Sequence, residues 1–177
     1  DAVIVAAGSE PLLPPIPGLR ESRIMFPAED YHLNKDKIGD TCIVLGGGLV
    51  GCEMAVCLAR DGKNVHIVEM RSELCPDANV RYRPLLMAEM AKYHVEIHTD
   101  CTCKSVSGNV VTCETPGGET VEITGDSILC GLGLVPKTDV VEALRSTAPF
   151  FRAIGNCVKP DTITHTVYQG YHAALDI

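Results

Sequence analysis

The sequence predicts an α/β fold: a parallel sheet connected through helices, with an antiparallel three-stranded β-meander attached. Three observations lead there. "TCIVLGGGLVGCE" runs an apolar strand into a glycine turn and a helix. "NVHIVEM", the next strand, closes a βαβ unit of about thirty residues. Further along, the apolar period falls to two in "CTCKSVS", "NVVTCET" and "ETVEIT", with "SGN" and "PGG" between them as turns.

In chain order, "DAVIVAAG" reads as a buried strand ended by Gly8, and the proline-rich "PLLPPIPG" excludes helix and central strand. A polar lead-in, "KDKIGD", starts a new unit whose first strand is Thr41 to Leu45. "LVGCEMAVCLARDG" has helical apolar spacing and stops at Gly62, a C-terminal signal. Glu69 ends the following strand. A second helix is expected over "VRYRPLLMAEMAKY", where Pro84 in the first turn sacrifices no helical donor. "VEIHT" is a third strand and leads into the meander. "DSILCGLGLVP" is a further buried strand ending in a glycine-rich turn. A short helix around Val140 to Leu144, the strand "FFRAIGN" and a last helix capped by Asp161 or Thr162 complete the chain.

The glycine turn carries the chemistry. Gly46, Gly48 and Gly51 form GxGxxG after a strand and at the start of a helix, and Glu69 follows Gly46 by 23 residues at the end of the next strand. This is the context of a Rossmann-like dinucleotide site. Gly46 permits the tight turn, Gly48 lets backbone approach a pyrophosphate, and Gly51 lets helix pack on strand. The helix N-terminus supplies amide donors and positive potential. Glu69 is expected to accept hydrogen bonds from ribose hydroxyls and to repel a 2′-phosphate, which favours NADH over NADPH. Arg71, two residues on, opposes that preference. Gly47, Leu49, Val50 and Met70 complete the candidate site. The alternative is a glycine turn that only tightens packing. Glu53 is either an ordinary surface helix residue or a neighbour of the bound dinucleotide.

Bulk properties set the exclusions. With 177 residues, 46% hydrophobic and 21% charged, the chain has an ordinary globular composition. A net charge of −8 with scattered basic residues argues against nucleic-acid binding. No apolar run approaches the roughly 20 residues that span a bilayer, and no signal segment opens the chain. Asp1 suggests a processed or cut chain. Nine cysteines without a Cys-x-x-Cys indicate neither a zinc knuckle nor a redox pair. Cys101 and Cys103 share a strand face and are expected to be free thiols. The odd count and missing secretion signal point to a reducing cytoplasm. His165 and His172 lack a third ligand, His66 and His98 are expected to be structural or solvent-facing, and Tyr168 and Tyr171 are expected to pack without a functional role.

Together, the glycine turn with its following Glu53, the meander, "ILCGLGLVP" and "FRAIGNCVKPDTITHTVYQGYHAALDI" resemble the C-terminal part of flavin-dependent pyridine-nucleotide oxidoreductases. The final segment is similar to the 2-enoate reductase and 2,4-dienoyl-CoA reductase group, old yellow enzyme-like proteins with an added FAD/NAD module. The resemblance implies an NAD(H)-binding domain, residues 37–133, inserted into an FAD domain. Residues 1–36 would be the last strand and exit linker of that FAD domain, and residues 134–177 its returning segment. It implies that Ala7 and Gly8 lie near the cofactors, that Gly131 and Gly133 form the second crossing turn, and that Glu53 stands beside the nicotinamide. Gly155 and Asn156 match a Gly-Asp pair that binds the FAD ribityl chain, here with an amide in place of the carboxylate. No second glycine fingerprint, iron–sulfur cysteine cluster or FMN barrel is present in these residues.

Two functions follow. One is an NADH-docking segment that presents hydride to FAD, with electrons passed to an FMN- and iron–sulfur-containing enoate or dienoyl-CoA reductase module elsewhere in the polypeptide. The isolated segment is then expected to be inactive alone, its partners being NADH, the rest of its own polypeptide and, through an exposed flavin-side surface, another copy. The other is a non-catalytic module of the same fold that holds ADP, which Asn156 favours.

Overall fold

A computed structural model describes residues 1–177. The chain forms two compact units, one of residues 13–133 and one of residues 1–12 with 134–177. No helix is long and apolar enough to cross a membrane.

The N-terminal segment of the outer unit supplies β1 (Ala2–Val5) and β2 (Ser9–Pro11). The inserted unit then runs through β3 (Met25–Pro27), α1 (Tyr31–Asn34), β4 (Thr41–Leu45), α2 (Leu49–Arg60), β5 (Asn64–Val68), α3 (Tyr82–Lys92) and β6 (Glu96–His98). It continues with β7 (Thr102–Ser107), β8 (Val110–Glu114), β9 (Thr120–Thr124) and β10 (Ser127–Cys130). The chain finishes in the outer unit with β11 (Leu134–Pro136), α4 (Thr138–Leu144), β12 (Phe150–Ala153) and α5 (Ile163–Leu175).

In the inserted unit a five-stranded sheet has the order β3-β10-β4-β5-β6, with every pairing parallel. Both faces are covered, so β4 is apolar at successive positions rather than alternating. Val44, Ile67 and Leu129 face α2 and α3, meeting Ala55, Leu58, Leu86 and Met90. Ile43, Leu45 and Ile128 belong to a second cluster, with Val106, Val111 and Ile123 of the meander. The meander β7-β8-β9 is antiparallel, as the period-two pattern predicts.

The boundary expected at residues 36/37 lies instead at 12/13. The proline-rich segment is not a free linker. Leu19 is fully buried among Ile43 and Val106, and Pro17 accepts the Val106 amide at 2.8 Å. Gly18 is required there, because a Cβ would stand 1.9 Å from the Val106 carbonyl oxygen. β3 then joins the sheet edge beside β10.

The outer unit pairs β1 with β12 in parallel and β2 with β11 antiparallel. Its small core holds Val5, Val141 and Cys157, with Val3, Ala7, Phe151 and Ala153 packed against them. Thr162 caps α5 by accepting the His165 amide. Tyr168 and Tyr171, expected to pack, are each 63% exposed on α5.

Candidate functional site

The parallel pairing of β4 with β5 puts the C-terminal ends of both strands side by side, in register Leu45 to Val68. The glycine turn and Glu69 leave from those two ends, and β10 brings Gly131 to the third. A cleft of about 330 Å³ opens there, lined by Gly46, Gly48, Val68, Glu69, Met70, Arg71, Gly131, Leu132 and Gly133.

The three glycines have different physical reasons. Gly46 has φ +102°, and a Cβ on it would lie 2.4 Å from the Gly131 carbonyl oxygen, so the two crossing turns touch through backbone. A Cβ on Gly51 would meet the Gly46 carbonyl oxygen at 1.9 Å, which fixes how closely α2 lies on the turn. A Cβ on Gly48 would meet nothing within 4 Å. Space, not packing, lies over Gly48. Gly48 is also the N-cap of α2 and offers no side-chain acceptor to the first helical amides.

Glu69 is 6% exposed. Its Oε2 accepts the Gly47 amide at 2.6 Å, and its Oε1 accepts the Arg71 amide at 2.8 Å. Arg71 Nε donates to the same Oε1 at 3.3 Å, and its Nη1 lies 3.3 Å from Asp77. An ionised carboxylate offers about four acceptor positions, so three donors leave about one. The two acidic partners of Arg71 hold its guanidinium above its ordinary pKa against the opposing effect of desolvation.

The other expected residues divide. Leu49 and Val50, on the first turn of α2, are 38% and 40% exposed and stand outside the cleft lining. Glu53 points elsewhere: its Oε1 accepts the Tyr82 hydroxyl at 2.9 Å, in a groove between α2 and α3. In the outer unit, Gly8, Gly155 and Asn156 come together with Ala6, Asp161, Ile163 and Thr166 around the start of α5. Ala7 turns into the unit's core, and Ala6 takes the lining position. Asn156 Oδ1 accepts the Asp161 amide at 3.2 Å, and Gln169 accepts the Gly155 amide at 2.6 Å.

Sequence reasoning missed the brace beneath the turn. Cys75 donates its amide to the Gly47 carbonyl at 2.8 Å from a left-handed backbone with φ +48°. Its thiol and that of Cys52 also lie within 3.6 Å and 3.4 Å of the same oxygen. The neighbouring Cys75 thiol, and then burial, push the Cys52 thiol pKa upward. No residue type in "RSELCPDA" signals this role.

A glycine turn opening an amphipathic helix, a buried acid on the neighbouring strand and a second crossing turn define a nucleotide-dependent α/β oxidoreductase domain. Residues 1–150 match the pyridine nucleotide-disulphide oxidoreductase family, and the chain belongs to it. Members are flavin-dependent redox proteins that bind FAD and NAD(P). The chain is 32% identical over 175 residues to the bilirubin reductase of Mediterraneibacter gnavus, covering 98% of this chain and 27% of that protein. It is 30% identical over 182 residues to the cinnamate reductase of Clostridium sporogenes, covering 100% of this chain and 26% of that one. Among solved structures, a 2-naphthoyl-CoA reductase in complex with 2-naphthoyl-CoA superposes with a TM-score of 0.94 at 26% identity, over 100% of this chain and 27% of the other. The chain therefore spans about a quarter of the length of these relatives.

Proposed function

We propose that residues 13–133 dock NADH and that the chain is the nucleotide-binding part of a reductase like those named above. One observation carries this reading: an open space over Gly48, uncapped α2 amides and the buried Glu69 carboxylate meet in a single cleft.

The residues fit a nicotinamide dinucleotide. The first amides of α2 would bond the pyrophosphate, which needs no side chain there. The acceptor position left on Glu69 would take a ribose hydroxyl. Arg71 directs Nε to Glu69 and Nη1 to Asp77, and a 2′-phosphate would meet the Glu69 charge. That supports NADH over NADPH. Gly8, Gly155, Asn156 and the first turn of α5 would hold the flavin side in the outer unit, Asn156 through its free amide N–H groups rather than a charge. Flavin, when bound, supplies the hydride acceptor. The chain's own contribution is positioning and exclusion of water, with no acid or base required from it. Electrons would pass to an FMN- and iron–sulfur-containing module elsewhere in the polypeptide that reduces an enoate-type double bond, in keeping with the named activity of the cinnamate reductase.

Titration with NADH, NADPH and ADP tests the proposal. NADH is expected to bind more tightly than the other two. Equal affinity for ADP and NADH would overturn the hydride-docking role and leave a non-catalytic nucleotide module. Glu69→Ala should weaken NADH by about 1–2 kcal/mol, roughly five- to thirtyfold. Because alanine also strands the buried Gly47 amide, Glu69→Gln, which keeps an acceptor for it, is the variant that separates binding from stability.

A further inference from the structure

At the free edge of the five-stranded sheet, β5 and β6 bring His66, Glu96 and His98 to one face. His66 is the register partner of Glu96, and His98 lies two residues further along β6, on the side that Glu96 occupies. His66 Nδ1 is 3.1 Å from Glu96 Oε2 and 3.3 Å from His98 Nε2. His98 Nε2 is 3.9 Å from the same Glu96 oxygen. From these residues we propose a site for a borderline divalent cation of the zinc class, held by His66 Nδ1, Glu96 Oε2 and His98 Nε2.

The spacing is the first argument. Tetrahedral coordination with bonds of about 2.0–2.1 Å puts neighbouring donor atoms about 3.3 Å apart. The three observed separations bracket that value. His66 Nδ1 stands within contact of both Glu96 Oε2 and His98 Nε2, whereas a single N–H is best directed at one partner at a time. A cation in the middle satisfies all three at once.

Access and donor type define the ligand. The imidazoles keep 21% and 27% of their side-chain surface exposed, and Glu96 66%, so an ion can enter and water can complete the shell. Two imidazole nitrogens and one carboxylate oxygen suit Zn²⁺, Co²⁺, Ni²⁺ or Cu²⁺. Mg²⁺ and Ca²⁺ prefer an all-oxygen shell. The ion would pin β6 to β5, and it would do so close to the nucleotide cleft, since the His98 carbonyl accepts the Glu69 amide at 2.9 Å.

The test is Zn²⁺ titration of the chelator-treated full chain against a competing indicator, with Co²⁺ as a spectroscopic probe. His66→Gln and His98→Gln should each weaken Zn²⁺ roughly tenfold or more, at least the loss seen when an outer-shell partner is removed. Zn²⁺ should raise the Tm of the unmodified chain and not that of these variants. The Co²⁺ complex should show nitrogen- and oxygen-type visible bands. Glu96→Gln alters only an exposed side chain, so it keeps the test open if a histidine variant does not fold. Unchanged Zn²⁺ affinity in all foldable variants would overturn the site. So would a thiolate-to-Co²⁺ charge-transfer band abolished by cysteine blocking, or the absence of any bound equivalent.

Discussion

Gly48 and Gly51 are three positions apart and are glycine for opposite reasons. The Cβ of Gly51→Ala would collide with the Gly46 carbonyl, a backbone group that cannot swing aside, so this substitution should destabilise the fold by a few kcal/mol. The Cβ of Gly48→Ala would enter empty space at an ordinary backbone angle, at a stability cost of no more than about 1 kcal/mol from the poorer helix cap. It should nevertheless lower NADH affinity, because the methyl group occupies the space over the first α2 amides. Thermal melts and nucleotide titrations of the two variants separate these effects, and equal loss of stability in both would contradict the assignment. This part of the site is legible in sequence because close backbone contact admits a single residue type, so spacing encodes geometry. Cys75 is different. Many residues can donate a backbone amide, and a left-handed cysteine leaves no compositional trace. Glu53 shows a further limit: a motif fixes its helical position, but its partner, Tyr82, is chosen by how α3 packs.

Among the elements, those with length and periodicity were readable: β4, α2, β5 and the meander follow their apolar spacing. The three-residue strands β2, β3 and β11 were not, because their pairing is decided by distant partners and no period develops in three residues. The same holds for α1. It is tied to the end of α2 where Asp61, the C-cap, accepts the hydroxyl of buried Tyr31 and lies 2.7 Å from Lys35 Nζ. Burial, then the Asp61 carboxylate, push the Tyr31 pKa up to about 12 from 10.0. A pKa raised in the folded state gives stability that is fully present below the unfolded value. That stability is lost as pH rises through the folded value. The native chain should therefore lose stability between about pH 10 and 12 more steeply than Tyr31→Phe, which has no hydroxyl to ionise. Denaturant midpoints across that window would measure it, and parallel curves for the two proteins would refute it.

For the molecule as a whole, the contiguous unit owns nearly all of the large buried core, and the buried hydrophobic residues of the discontinuous one are Val5, Val141, Cys157 and Ala173. A polypeptide of residues 13–133 should consequently fold by itself, with a cooperative melt and NADH affinity within a fewfold of the full chain. A polypeptide of residues 134–177 alone should not, since β12 and β11 would have no partners. Circular dichroism and nucleotide titration of the two fragments decide this. The general plan, one unit interrupting another, was legible because a glycine turn about forty residues into the chain starts a fresh βαβ unit. The exact seam was not, because proline-rich sequence reads as linker whether or not it is pressed against a core. Pro11 and Leu134 are directly opposed partners on β2 and β11, as are Glu10 and Val135. Within the outer unit, the chain before residue 13 and the chain after residue 133 thus form a two-stranded stem, its strands roughly 4.8 Å apart. Such a stem works as a socket. A different compact body with equally close ends could replace the present one in a single genetic event, and the host around β1 and β12 would keep every one of its own strand pairings.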